Sequence, residues 1–236
     1  MKKVALCMRG AISKKSGAFN KANELYTESD YIDYVACYNS IVKHILEPNP
    51  DYLFDIFCHC WNTDLSDNII NLYKPVKSEF EDNTKYNKEI IELCRNENDF
   101  SGISQALTIY KSIRLKEIYE TENNMNYDLV ILYRYDVLLW KTMDLNQYVN
   151  LENQIYVNAH GDCNGDFHFI MNNIDSYNFK YLYDSIKLGN HYIVHYWIKN
   201  YIINYMKQNI IMDNIIPGVN QEVLRKIMNS SYFQLM

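Results

Sequence analysis

The segment Tyr127–Trp140 contains an apolar, strand-like run that is broken by one arginine and one aspartate, Arg134 and Asp136. Residues two apart on a strand point to the same side, and charged side chains are rarely buried unless they are paired or bind something. The carboxylate could ligate a hard divalent cation through oxygen, and the guanidinium could hold a phosphate in a bidentate manner. The pair therefore predicts a site for an ion or an anionic ligand. The alternatives are an ordinary salt bridge at a strand end and an aspartate that caps a turn.

Two further polar groups stand at the ends of apolar, strand-like runs. Arg9 and Gly10 follow Val4–Met8, where glycine would let a ligand approach the backbone and arginine could bind a phosphate. The second group ends the run Leu53–Trp61 and comprises His59, Trp61 and Asn62. The alternatives are a solvated arginine in a turn, and a histidine and a tryptophan that simply belong to the core.

Asp166 lies where a turn-rich loop meets the predicted strand Asp166–Met171. A carboxylate in that position could act as a general base. The loop alternates potential metal ligands at His160, Asp162 and Asn164. It lacks the glycine and the glutamate that a calcium-binding loop needs at fixed positions. A plain loop before a strand is the alternative to a functional Asp166.

Composition limits the classes of protein and partner. The chain has 236 residues, 48% hydrophobic and 22% charged, which is typical of a globular domain with a core. A formal charge of −6 gives no electrostatic footprint for nucleic acid, so an anionic ligand must be held locally. Six scattered cysteines without a CxxC pair disfavour both a zinc site and a disulfide scaffold. No apolar stretch approaches the roughly 20 residues of a transmembrane helix, and we expect a cytoplasmic protein.

The order of elements predicts the fold class. The predicted strands are Val4–Met8, Leu53–Trp61, Tyr73–Val76, Tyr127–Trp140, Gln154–Asn158 and Asp166–Met171. The predicted helices are 31–46, 87–94, 101–122, 174–188, 191–208 and 220–229. Alternating strands and helices predict a single α/β, Rossmann-like domain with a mostly parallel central sheet and helices on both faces. Residues 1–172 would form the core and 173–236 a mainly helical C-terminal part, with ligands bound outside the carboxyl ends of the strands.

Four motifs follow one another in the order of a known family. They are FDIFCHCWN at 54–62, SQA at 104–106, YDLV at 127–130 leading to RYD at 134–136, and GDFHF at 165–169. With this set the chain resembles the small GT-A-type glycosyltransferases of bacterial polysaccharide loci and large DNA viruses, and is similar to the chlorella-virus rhamnosyltransferase domain. The resemblance spans residues 3–200.

The resemblance implies transfer of a sugar from a nucleotide-diphosphate-sugar donor to a glycan or other hydroxyl acceptor, with Mn²⁺ or Mg²⁺. The segment from Arg134 to Asp136 stands where the family has an acidic DxD-like motif, which makes Asp136 the implied metal ligand. Arg134 replaces the first carboxylate and could neutralise the donor diphosphate directly. The implied donor-binding core is 1–172, and its implied donor contacts are Arg9, Gly10, His59, Trp61, Asn62, Arg134 and Asp136.

Asp166 falls near the position implied for the base of an inverting enzyme. A retaining mechanism stays open if Asp166 is too far from the acceptor. The competing hypothesis is a catalytically degenerate relative that binds sugars or a partner, because the first DxD carboxylate is missing. The sequence does not identify the donor, the acceptor or the oligomeric state.

Overall fold

The computed structural model describes residues 1–12, 32–96, 99–148, 150–160, 163–189, 198–213 and 221–223. Its strands are β1 (Lys2–Gly10), β2 (Tyr52–Cys60), β3 (Lys77–Phe80), β4 (Leu129–Arg134), β5 (Val137–Leu139), β6 (Gln154–His160), β7 (Cys163–Met171), β8 (Asn209–Asp213) and β9 (Gln221–Val223). Its α-helices are α1 (Tyr34–Ile41), α2 (Ser66–Tyr73), α3 (Asn87–Leu93), α4 (Asp99–Asn123), α5 (Asn173–Lys180) and α6 (Leu182–Lys187). Shorter helical turns lie at Val42–Leu46, Asn83–Tyr86, Leu145–Gln147 and Tyr201–Tyr205.

Seven strands form one mixed, mostly parallel sheet in the order β3-β2-β1-β4-β7-β6-β8. The pairs β1–β2, β1–β4, β2–β3 and β6–β8 are parallel, whereas β7 runs antiparallel to β4 and β6. From β1 the chain first builds outwards through β2 and β3, and then returns to place β4 on the other side of β1. The strand order therefore reverses between β1 and β4, which is where open α/β sheets form a crevice for ligands.

Helices cover both faces of this sheet, as the alternation of elements predicts. Strand residues of one parity pack in a core with α4, for example Cys7, Phe57 and Leu132. Residues of the other parity pack in a core with α1, for example Met8, Cys58 and Ile131. The predicted α/β, Rossmann-like fold class is confirmed, since both faces of the central strands are apolar and buried.

Helix α4 extends the predicted helix 101–122 by a few residues and lies along the strands that carry the predicted site. It buries apolar side chains at helical spacing, including Ile103, Leu107 and Ile113. Thr108 of α4 contacts Gly10 at the end of β1 and His59 near the end of β2, which places the polar side of α4 over the carboxyl ends of these strands. It is thus the element that closes one side of the site.

Two predicted strands differ from the structure for local reasons. The third strand is not at 73–76 but at Lys77–Phe80, because α2 ends only at Tyr73 and Lys74 turns the chain in a left-handed conformation with φ of 48°. The predicted strand Tyr127–Trp140 is interrupted by a turn at 135–136, and its second half, β5, pairs with β9 outside the main sheet. Arg134 and Asp136 therefore meet across a turn and not along one strand.

The C-terminal part is helical at α5, α6 and from residue 198 to Tyr205, but it also contributes strands. β8 completes the main sheet, and β9 occupies the start of the predicted helix 220–229. The start of the predicted helix 191–208 lies outside the described residues. Among the residues described, no helix combines the length and apolar character needed to cross a bilayer.

Candidate functional site

Three predicted site residues form a row across neighbouring strands. Arg9 on β1 stands in register with His59 on β2 and with Arg134 on β4. Each comes two residues after a side chain that faces α4, so the side chains of all three lie on the α4 side of the sheet. The row lies at the carboxyl ends of the parallel strands and includes both strands that flank the reversal of strand order. It therefore occupies the position where this architecture binds ligands.

Arg134 holds two carboxylates. Its Nε donates to Asp136 Oδ1 at 2.8 Å and its Nη2 to Asp136 Oδ2 at 2.5 Å, which is a bidentate, charge-assisted pair. Its Nη1 donates to Asp166 Oδ2 at 2.9 Å. Burial lowers the pKa of Arg134, but the carboxylates of Asp136 and Asp166 outweigh it and leave the pKa raised. The guanidinium is therefore a fixed positive charge at the end of β4.

Arg9 approaches the same aspartate from the side of β1. Its Nη2 donates to the backbone oxygen of Asp166 at 2.5 Å, and its guanidinium carbon lies 5.7 Å from the centre of the Phe169 ring. The side chain of Gln105 on α4 donates to the Asp166 carboxylate. We call Arg9, Arg134, Asp136 and Asp166 the arginine–aspartate cluster. Its members come from β1, β4, the turn after β4, and β7.

Gly10 ends β1 with φ of 111°, a conformation that residues with a side chain rarely adopt. Its N–H donates to the Thr108 hydroxyl oxygen at 3.2 Å, and its carbonyl accepts from the N–H of Trp61 at 3.1 Å. A Cβ at this position would meet no atom within 4 Å. Glycine is therefore required here by the backbone conformation and not by lack of space.

His59 is buried and links Gly10 to an acidic residue through Thr108. Its Nδ1 lies 2.7 Å from the Thr108 hydroxyl and its Nε2 lies 3.3 Å from Glu81 Oε1. Burial lowers the pKa of His59 and outweighs the opposite effect of Glu81, so the ring is neutral at pH 7. A carboxylate can only accept, which places the ring proton on Nε2 and leaves Nδ1 to accept from Thr108.

Glu81 is the centre of a second charged group. Lys111 Nζ lies 2.8 Å from Glu81 Oε1, the Tyr86 hydroxyl donates to Oε2 at 2.7 Å, and Lys85 also contacts Oε2. Burial raises the pKa of Glu81, but the hydrogen bonds from His59, Lys111, Lys85 and Tyr86 hold it well below its usual range. The carboxylate is therefore charged and saturated with donors.

Together with Glu79, these residues resemble a metal centre in their spacing. Ligand atoms of His59, Glu79 and Glu81 lie within 4.8 Å of one another, which is compatible with a divalent cation. Lys111 Nζ, however, lies 3.4 Å from Glu79 as well as close to Glu81. A lysine ammonium thus already contacts both carboxylates.

Trp61 and Asn62 lie beside the row and have structural contacts. The Trp61 indole meets the His59 ring edge-on with centroids 4.5 Å apart and contacts Tyr86 at 5.7 Å. Asn62 Oδ1 accepts from the N–H of Ile12 at 2.8 Å and so fixes the chain where it leaves β1. Both side chains are buried. Their predicted contact with a nucleotide stays a prediction, as do the predicted roles of the other site residues.

Sequence reasoning assigned no role in the site to the residues of α4 and of the end of β3 that connect it, although Gln105 belongs to the SQA motif. Gln105, Thr108 and Lys111 recur at three-residue spacing, which puts them on one side of a helix, over the strand ends. Glu79 and Glu81 recur at the two-residue spacing of a strand edge. Polar residues that interrupt the buried face of α4 were the available signal.

Comparisons with known proteins give no assignment. No family model matches the chain, and no curated protein matches it. Among solved structures, the chain is similar to the nucleoside-diphosphate-sugar pyrophosphorylase from Vibrio cholerae RC9, with 12% sequence identity and a TM-score of 0.44 over 95% of this chain and 96% of that one. A likeness at this level has no weight for function, which therefore depends on the residues of the site.

Proposed function

We propose that the protein is a glycosyltransferase that moves a sugar from a nucleotide-diphosphate-sugar donor to a hydroxyl acceptor. One observation carries the proposal: Arg9 and Arg134 stand in register at the carboxyl ends of the two strands that flank the reversal of strand order. Guanidinium groups match phosphate oxygens in charge and geometry. We assign donor binding to residues 1–172 and regard 173–236 as part of the same domain, because β8 belongs to the same sheet.

Arg134 is the residue that we assign to the leaving diphosphate. Its bidentate pair with Asp136 fixes one edge of the guanidinium, whereas a single hydrogen bond links Nη1 to Asp166. If Nη1 donated to a phosphate oxygen instead of to Asp166, the positive charge of Arg134 would lie next to the leaving group. Charge stabilisation of this kind favours cleavage because negative charge develops on the diphosphate in the transition state.

Asp166 is the group that we assign to the acceptor. In an inverting reaction the acceptor oxygen bonds to the anomeric carbon while its proton passes to the Asp166 carboxylate. The bond from the anomeric carbon to the diphosphate breaks, and its electron pair stays on the diphosphate. Gln105 and the Arg9 contact with the Asp166 backbone hold the carboxylate in place as Arg134 turns to the donor.

The predicted Mn²⁺ or Mg²⁺ would supply the same neutralisation if it were bound. The donor atoms do not fit such an ion as they stand, since Asp136 is engaged by Arg134 and the Glu79–Glu81 pair by Lys111. We therefore assign no step to a metal.

A second candidate is a binding module for sugars or a partner, without turnover. The observation in its favour is the pairing of Asp166 with Arg134, because a carboxylate held by a guanidinium is a weak base. The two candidates differ in whether Arg134 leaves Asp166 when the donor binds.

Donor screening tests the proposal. We expect a nucleoside diphosphate among UDP, GDP and dTDP, and one of its sugar conjugates, to raise the melting temperature of the wild-type protein. We also expect release of the nucleoside diphosphate from that donor when an acceptor glycan is present. Absence of stabilisation by every nucleotide would contradict the proposal, and glycan binding without donor turnover would favour the binding module.

A further inference from the structure

We propose that the site engages its donor diphosphate without a divalent cation, with Arg134 in the place that such an ion would take. This inference rests on the proposed function, because it concerns how the same site binds the donor. It departs from the use of Mn²⁺ or Mg²⁺ that the resemblance implies. It follows from what already contacts each carboxylate near the carboxyl ends of β1, β2 and β4.

Asp136 is the first carboxylate that a cation would need. Both of its oxygens accept from Arg134, at 2.8 and 2.5 Å, and Arg134 also reaches Asp166 at 2.9 Å. A cation at Asp136 would have to displace a bidentate guanidinium and would then lie beside its positive charge. A metal at this place is therefore opposed by both geometry and charge.

The charges of the arginine–aspartate cluster also balance without an ion. Arg9 and Arg134 supply two positive charges, and Asp136 and Asp166 supply two negative ones. Sites for hard dications concentrate carboxylate oxygens around the ion. The cluster offers no such excess of negative charge.

The second possible place is the group formed by His59, Glu79 and Glu81, whose ligand atoms lie within 4.8 Å of one another. Lys111 Nζ lies 2.8 Å from Glu81 and 3.4 Å from Glu79, and Lys85 contacts Glu81 as well. His59 directs one ring nitrogen to Glu81 and the other to Thr108. Here too a basic side chain occupies the position of a cation, and both imidazole nitrogens already have partners.

Both acidic groups thus carry their own cation, Arg134 in one and Lys111 in the other. A guanidinium with one fixed edge can present the other edge to a phosphate, which a compact hydrated ion would otherwise neutralise. In a metal-dependent enzyme, aspartates hold an ion and the ion neutralises the diphosphate. Here Arg134 is held by Asp136 and itself supplies the positive charge for the diphosphate.

The test measures nucleotide and metal binding separately. Wild-type protein is freed of metal with EDTA, and the affinity for UDP, GDP and dTDP is measured by calorimetry in EDTA, in Mg²⁺ and in Mn²⁺. We expect the tightest nucleotide to bind with a Kd that agrees within about twofold in the three conditions. We also expect that Mn²⁺ added to the wild-type protein without nucleotide gives only the electron paramagnetic resonance signal of the free ion, with no signal from protein-bound Mn²⁺.

The variant Arg134→Gln tests the inference from the opposite direction, by removal of the side chain that replaces the ion. It frees Asp136 and Asp166 from their cation, so we expect nucleotide affinity to fall by about tenfold or more and weak Mn²⁺ binding to appear. The control is Arg114→Gln, which removes an exposed arginine of α4 that pairs with Glu117. We expect neither effect in this control.

The outcomes separate the two proposals. Nucleotide binding only in the presence of Mn²⁺ or Mg²⁺ would overturn the metal-free inference and support the proposed function. A wild-type Mn²⁺ signal that disappears in Glu81→Gln would also overturn it. Absence of nucleotide binding in all three conditions would overturn the proposed function itself.

Discussion

Arg9 and Arg134 stand side by side on adjacent parallel strands, and both donate to Asp166. Arg9 takes the backbone oxygen and Arg134 takes the carboxylate. The aspartate that we assign as the base is thus positioned by Arg9 and by the arginine that we assign to the donor diphosphate. This arrangement makes donor binding and release of the base parts of one rearrangement.

Asp136 acts in this account as the anchor of Arg134. In Asp136→Ala we expect nucleotide affinity to fall by about tenfold or more and donor turnover to disappear, because the guanidinium loses its bidentate partner. Calorimetry measures the affinity, and circular dichroism verifies that the fold survives. Rescue of turnover by Mn²⁺ in this variant, or full activity without it, would contradict the anchoring role.

Asp166 is expected to affect proton transfer more than donor binding. We predict that Asp166→Asn lowers kcat by about 10²–10⁴-fold and leaves the Kd for the nucleotide nearly unchanged. Asp67→Asn, at an exposed position of α2, is the matched control. The role is refuted if the Asp166 variant turns over as fast as this control.

Thr108 connects the end of β1 to His59. Thr108→Val keeps the shape of the side chain but removes the hydroxyl, which leaves the Gly10 N–H and His59 Nδ1 without this partner in a buried place. We expect the free energy of unfolding to fall by about 1–3 kcal/mol, measured by urea denaturation. Thr108→Ser keeps the hydroxyl and should lose much less, and equal stability of the two variants would rule out the proposed linkage.

The raised pKa of Asp175 predicts a specific dependence of stability on pH. Burial raises the pKa of Asp175 to about 6, in spite of the hydrogen bonds from Gln208 and Asn172. Because the folded state holds this proton more tightly than the unfolded state, its contribution is fully present at acidic pH and is lost as the pH rises through about 4 to 6.

The measurement compares wild-type protein with Asp175→Asn in urea denaturation at pH 4 and pH 7. We expect the stability of the wild type relative to the variant to fall by up to about 3 kcal/mol over this range. The difference in stability between the two proteins cancels the contributions of the other titrating groups. Glu81 is one of these groups, and its contribution has the opposite sign. A difference that is constant with pH would show that burial does not raise the pKa of Asp175.

The fold class follows from the sequence because hydrophobic patterning is a local signal. The apolar runs that became β1, β2 and β4 are continuous, as expected for strands buried on both faces, and the three polar groups predicted at their carboxyl ends stand at or just beyond a strand end. Asp166 differs from its prediction, because β7 begins at Cys163 and Asp166 lies within this strand and not at its start. The turn after Arg134 was predicted only as an alternative, because Tyr135 and Asp136 include neither glycine nor proline. The strand at Gln221–Val223 acquires its structure by pairing with β5, which is a tertiary effect.

The contacts within the site depend on pairs that are distant in sequence. Arg9 meets Asp166, and His59 meets Thr108, only because the sheet order and α4 bring them together. The sequence showed that Arg134 and Asp136 were unusual and left an ordinary salt bridge between them as the alternative, which the structure contains. The contact of Arg134 with Asp166 appears only in the structure. Lys111 in front of Glu79 and Glu81 could not be inferred from either segment alone.

The most direct test of the central claim is a crystal structure of the protein with the nucleoside diphosphate that binds it most tightly. We predict that a diphosphate oxygen lies within hydrogen-bonding distance of Arg134, with Asp136 still bidentate to it and Asp166 released towards the acceptor side. A nucleotide bound away from the ends of β1 and β4, or a diphosphate held through a metal on Asp136 with Arg134 displaced, would contradict the account.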